Sequence, residues 1–301
     1  MPREGQADPW IPPVRAYEGN YGWNDSSKGW GMRDPLPKLI AARFSGERAV
    51  RCDAAALLAH AVLLGAFALL CRGALSPALF MVIGVCAYVR NFNALHEASH
   101  ARGGRGNPLR WLHRLVMIVH GPLQPGRAEL AQAHRYHHAF PGDPARDPHV
   151  AIGCEAWWSA VLSACLGPEV ALVRHVRRER RISRSLAATL LYNAAMCAAL
   201  GWFAGAQIVW WIAVTRVGST AVWFIFDWIL HRPWVWSRTP AFTPGPVLSL
   251  VWSVLFSRDN LNATRFHALH HRFGFVADRE LPALARFMAA SEGPTSTITT
   301  G

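Results

Sequence analysis

Four long apolar runs dominate the chain. Residues 54–71 are almost unbroken, interrupted only by His60. Residues 74–89 form a second run that continues through Arg90 to Leu95, and residues 186–206 and 208–230 form a third and a fourth. A helix needs about 20 apolar residues to cross the hydrocarbon core of a bilayer. Buried helices of a soluble protein of this length would normally keep a polar face, which these runs lack. The pattern therefore predicts an all-α integral membrane protein with four transmembrane helices in two hairpins, turning at Arg72-Gly73 and at residues 204–207.

Three shorter apolar stretches, 111–119, 156–166 and 247–256, cannot span and are expected at the membrane interface. Residues 1–50 are rich in Gly, Pro and aromatics, including Trp10, Tyr17, Tyr21, Trp23 and Trp30, and predict an irregular N-terminal arm. Residues 51–280 form the membrane domain, and residues 281–301 a C-terminal tail whose last part, from Ser291, is polar. The first apolar run begins far from Met1, so no signal peptide is expected.

Charge gives the topology a direction. The 301-residue chain carries 31 Lys and Arg against 19 Asp and Glu, a formal net charge of +12. Twenty-eight of the 31 basic residues fall before the first span, between the second and third, or after the fourth. Four crossings place these three segments on one side, and the positive-inside rule makes that side cytoplasmic. Topology and anionic headgroups thus account for a basic balance that would otherwise point to nucleic acid, and no nucleic-acid partner is expected. The dense basic run at residues 174–184 reads as such an anchor. Arg90 lies near the cytoplasmic end of span two and can snorkel. Arg216 sits deeper in span four, where a structural salt bridge and a functional role are both open. The six cysteines form no C-x-x-C pair, which argues against a disulfide framework or a zinc ribbon.

The candidate chemistry lies in histidine. His96-Glu-Ala-Ser-His100 closes span two, His134-Arg-Tyr-His137-His138 sits in the middle segment, and His267-Ala-Leu-His270-His271 follows span four. Residues three and four apart share a helix face, so each cluster can aim two or three imidazoles one way. With 14 histidines in 301 positions, H-x-x-H-H would occur by chance roughly 0.03 times, yet it occurs twice. Asp227 and His231 repeat the i, i+4 spacing at the end of span four. The predicted topology puts all four groups at the cytoplasmic face, in a helical cap. Nine imidazoles result: His96, His100, His134, His137, His138, His231, His267, His270 and His271. They are too many for one metal ion and suit two, although imidazole accepts zinc, copper and nickel as well as iron. His60, His113, His120, His149 and His175 have no such partners in the pattern and read as structural, with His149 the least certain because it follows an aspartate-rich turn.

The combination HEASH, HRYHH and HALHH around two apolar hairpins resembles the membrane fatty acid desaturase family, which includes related hydroxylases and ketolases. Residues 140–148, FPGDPARDP, look like the aspartate-proline stretch that follows the family's second box. Asp227 and His231 resemble an N-x-x-x-H element that supplies an extra ligand in some members. Here aspartate replaces asparagine, which opens a direct carboxylate ligand or an altered water network. The resemblance covers about residues 54–275. An alkane-hydroxylase pattern fits less well, because the chain has no E-H-x-x-G-H-H or N-Y-x-E-H element.

The resemblance implies two iron ions, dioxygen as co-substrate, a lipid-like substrate, and an external electron donor of ferredoxin, rubredoxin or cytochrome type. Carboxylates should accept the second N–H of the ligating imidazoles. Glu97, Asp143, Asp147 and Asp259 are the candidates, each of which could instead serve a loop cap or surface ion pair. Asn262 could hydrogen-bond a metal-bound water or shape a turn. The boxes do not separate an acyl desaturase from a hydroxylase or ketolase of a carotenoid, sterol or other apolar metabolite. A histidine-rich metal transporter and a catalytically dead scaffold are the readings of other classes.

Overall fold

The computed structural model describes residues 46–100, 109, 112, 121–143, 146–149, 153–232, 240, 243–274 and 276–291. The aromatic arm before residue 46, the apolar stretch 111–119 apart from Leu112, and the residues after 291 lie outside this set, as do His113 and His120. The described residues are helical, with no strand among them. They fall into two compact units, residues 46–112 with 232–291 and residues 121–231.

In the first of these units, α1 (Gly46–Cys71) and α2 (Pro77–His100) pack as a hairpin along their length. Gly73 takes φ +71 at the turn, a conformation open to glycine without strain. Ser76 accepts from Leu79 N–H and Pro77 opens α2, both ordinary start signals. Leu63 and Phe80 are fully buried in the seam, and Asn91 Nδ2 donates to Ala56 O at 2.9 Å. Both helices run further than the apolar runs, so α2 carries His96 and His100 in its last turns. The unit is completed by α8 (Pro246–Leu255), α9 (Arg258–Arg265), α10 (His267–Arg272), a 3₁₀ turn at Asp278–Glu280 and α11 (Leu281–Ser291). Leu281 and Leu284 of α11 are fully buried, so the start of the expected tail belongs to the packed unit.

The corner before α9 is strained. Ser257 holds φ +112, outside the regions open to a residue with Cβ, while its hydroxyl caps Asn260 N–H at 3.0 Å. Asn260 in turn accepts from Trp252 Nε1 at 2.7 Å. These bonds lock the turn that delivers α9 and α10.

The other unit contains α3 (Arg127–Ala139), α4 (Trp157–Cys165), α5 (Gly167–Glu179), α6 (Arg184–Ala204) and α7 (Ile208–Trp223), which runs into a π-turn at Phe224–Ile229. A 3₁₀ turn at Gly205–Gln207 joins α6 to α7, and together they make a membrane-length apolar helical stretch of 46 residues, Arg184–Ile229. With Val50–Cys71 and Pro77–His100 it makes three such stretches among the described residues. Gly205, at φ +53 and ψ −132, leaves helical geometry and ends α6, its N–H bonding Gly201 O, and α7 begins at Ile208 after the turn. α6 and α7 touch only sparsely, and α7 packs on α4 instead. Only 11% of the apolar window of Arg184–Ile229 is buried within the protein, and Trp202 and Phe203 are each 85% exposed, which suits contact with lipid.

Arg216 is resolved as structural. Its guanidinium bonds both oxygens of Glu169 on α5, at 2.6 and 3.0 Å, and also Cys165 O at 3.0 Å. Close to this pair, α5 and α7 come together at Gly167, where an added Cβ would stand 2.7–2.9 Å from the Trp223 ring. Gly167→Ala is expected to lower stability by about 1–3 kcal/mol through overpacking, read as a reduced melting temperature in detergent.

Candidate metal centre

Each unit carries its own set of converging imidazoles. In the unit of residues 121–231, His134, His137 and His138 lie on α3, with the i, i+3 and i+4 spacing bringing them to one side. The rings of His134 and His138 are 4.4 Å apart and those of His137 and His231 4.9 Å apart. In the other unit, His96 and His100 on α2 meet His270 on α10. The three ring centroids are 4.8–5.2 Å apart, and one nitrogen from each lies within 4.8 Å of the others. His267 and His271 sit beside them on α10, with centroids 4.7 Å apart. Ring nitrogens of His138, His231, His267, His270 and His271 are shielded from solvent.

The middle histidine of each H-x-x-H-H box has the same support. His137 Nδ1 lies 3.1 and 3.2 Å from the two oxygens of Asp147, ten residues on. His270 Nδ1 lies 2.9 Å from Asp278 Oδ1, eight residues on. All four residues are nearly inaccessible. An imidazole that donates from Nδ1 presents its Nε2 lone pair elsewhere, which is the usual way a protein orients a histidine ligand. Asp147 is itself held by the backbone N–H groups of Gly142 at 2.7 Å and His149 at 2.8 Å. Burial pushes the Asp147 carboxyl up to about 7, against the lowering effect of His149 and the two backbone bonds.

Two of these residues were not among the candidates read from the sequence. Asp278 opens an ordinary-looking turn, and only its place one turn beyond the third box hints at it. His149 was assigned a structural role. It is stacked on His137 with centroids 4.0 Å apart, packs edge-on to Trp223 at 4.9 Å, and lies 3.0 Å from Asp227. One ligand atom each from His137, His149 and Asp227 lies within 4.8 Å of the others, and all three residues are buried. Burial opposes a charge on His149, but Asp227 and then Asp147 outweigh it and hold its pKa above the ordinary value.

The remaining candidates fall differently. Asp143 caps Arg146 N–H and pairs with its guanidinium at 2.5–2.6 Å, a local role at the surface. Glu97 accepts from Cys52 Sγ at 3.7 Å. With Arg51, Arg90 and Asp259 it lines a polar cavity of about 370 Å³ next to His96. Asn262 is buried on α9, and its carbonyl accepts Phe266 N–H at 2.9 Å in the cap that precedes α10.

The donor set fits a transition-metal cation. It is rich in imidazole with a minority of carboxylate, and Asp227 Oδ2 is buried with no hydrogen-bond partner among the described residues, a costly arrangement that a cation would relieve.

Membrane-length apolar helices and buried, aspartate-braced histidine clusters able to hold a metal ion are the features that bear on its class. The family model for fatty acid desaturase matches residues 72–297, and the chain belongs to that family of oxidoreductases. No curated protein and no solved structure matches it significantly.

Replacing Asp147 or Asp278 by Asn leaves shape intact but weakens the bond that orients His137 or His270. Each change is expected to weaken metal retention by about 10–100-fold, read as metal remaining per chain after a chelator challenge.

Proposed function

We propose that the chain is a membrane-embedded, oxygen-dependent fatty acyl desaturase whose eight box histidines and His231 hold two iron ions. The observation that carries this reading is the paired bracing of His137 and His270. In each box the middle imidazole is buried, held at Nδ1 by an aspartate, and left with Nε2 for a cation. Metal transport would call for ionisable groups along a path through the middle of the membrane. Here His96 and His100 end one membrane-length helix, and Asp227 and His231 stand at the end of another.

We infer four crossings. A 46-residue helix would extend about 69 Å at 1.5 Å per residue, more than twice the roughly 30 Å of bilayer hydrocarbon. Gly205 divides it into two lengths, each long enough to cross. The distribution of basic residues supports cytoplasmic termini and a cytoplasmic metal centre.

Bound iron would supply the reduction of dioxygen. The protein's part is positioning. Asp147 and Asp278 keep the proton on Nδ1 of His137 and His270, so that both rings face the metal as neutral ligands. Burial of the imidazoles excludes bulk water. Overall, two adjacent C–H bonds give an alkene, and dioxygen takes up their two hydrogens with two further electrons and two protons to form two waters. Those electrons come from an external ferredoxin, rubredoxin or cytochrome-type donor. The apolar helices offer a surface along which an acyl chain can lie.

Metal analysis of the detergent-purified protein is expected to give about two iron atoms per chain, with loss in a His137→Ala/His138→Ala double variant. Mass spectrometry of host lipids should then show acyl products two hydrogens lighter, absent with the variant. Zinc alone after iron-replete expression would sink the oxygenase, and products one oxygen heavier would make the chain a hydroxylase.

A further inference from the structure

We propose that His149 and Asp227 bind metal directly, giving one metal position a mixed nitrogen and oxygen ligand set that includes His137. The inference rests on the reading that the histidine boxes hold metal, but adds two ligands outside the eight box histidines and His231.

The first argument is the contact itself. His149 Nδ1 and Asp227 Oδ1 are 3.0 Å apart, and both residues are buried. Two ligands about 2.1 Å from a shared ion and roughly at right angles to it would stand about 3.0 Å apart. The observed pair has that separation.

The second argument is the other carboxylate oxygen. Asp227 is only 4% exposed, and its Oδ2 has no hydrogen-bond partner among the described residues. An unpaired carboxylate oxygen in a dry environment is expensive unless a cation meets it. The group that could do so is already assembled, since ligand atoms of His137, His149 and Asp227 lie within 4.8 Å of one another.

Third, the surroundings hold this geometry in place. His149 is fixed at its backbone N–H by Asp147, the same carboxylate that orients His137. Trp223 packs edge-on to the His149 ring and is itself pressed against Gly167. Asp227 lies in the π-turn Phe224–Ile229, where the i→i+5 bond from Leu230 N–H to Ile225 O replaces regular helix. Such turns are frequent at functional sites. An asparagine at 227 could not supply the second charged oxygen, so the aspartate changes the chemistry of the position.

The consequence is that the metal positions are unequal. One takes a hard, anionic oxygen and the other is served by imidazole, so the first should favour the higher oxidation state of iron.

The test uses the full-length protein in detergent micelles, stripped and titrated with Co(II) alone, with visible absorption as the readout. Asp227→Asn and His149→Gln are compared with Asp143→Asn, a change at the surface pair. Wild type and Asp143→Asn are expected to take up two equivalents. Asp227→Asn and His149→Gln should each weaken one equivalent by more than ~100-fold, beyond what loss of an outer hydrogen bond causes, and alter its d–d bands while the other equivalent is retained. Two unaltered equivalents in either folded variant would overturn the proposal, and each variant tests it alone should the other fail to fold. Because cobalt binding is read without turnover, a wild type that binds two equivalents but forms no alkene would remove the desaturase reading and leave this one standing.

Discussion

An imidazole can offer a metal ion one nitrogen, and it does so predictably only when the other nitrogen is held. That constraint organises this protein. His137 and His270 are held by Asp147 and Asp278, and each aspartate is buried with its histidine. Asp147 is further tied to two backbone N–H groups, so the chain from backbone to carboxylate to imidazole leaves little freedom. Exposed clusters of histidine would bind metal loosely and in several ways. Here orientation is decided before any ion arrives.

Such a site is costly without its cation. Carboxylates and imidazoles are taken out of water together, and burial drives Asp147 toward its neutral form while Asp227 pulls His149 toward its charged one. Both tendencies express a shortage of positive charge in a dry place. A divalent ion would supply that charge, restore the carboxylates to their anionic state and let the histidines bind as neutral rings. Metal binding and stability would therefore be coupled, as expected where ligands are deprotonated only when the ion is present.

The helices serve this arrangement in different ways. α2 is long enough to cross a bilayer and to carry His96 and His100 in its last turns. The Arg184–Ile229 helix presents most of its apolar surface outward and ends in the π-turn that holds Asp227. Arg216 and Glu169 neutralise one another where an isolated charge would be prohibitive, and Gly167 lets α5 approach Trp223 beside His149. Strain at Ser257 is tolerated because hydroxyl, amide and indole bonds fix the corner from three sides.

Local periodicity made much of this legible in the chain alone. Apolar runs of bilayer length announce membrane helices, and H-x-x-H-H spacing groups imidazoles on one face whatever the rest of the fold does. Those features depend on contacts within one or two helical turns. The joint at Gly205 was harder to read, because glycine can either end a helix or bend it, and only the backbone geometry, non-helical at φ +53, shows that α6 ends there. The partners of the boxes were harder still. Asp147 and Asp143 lie four residues apart in one loop, yet one braces His137 and the other caps Arg146 at the surface. Glu97 adjoins a box histidine but faces Cys52, whereas Asp278 and the lone His149 carried no distinguishing pattern. Periodicity determined which residues could act together as ligands. Tertiary structure decided which carboxylate each imidazole meets, because loop geometry and burial are set by packing among segments distant in the chain.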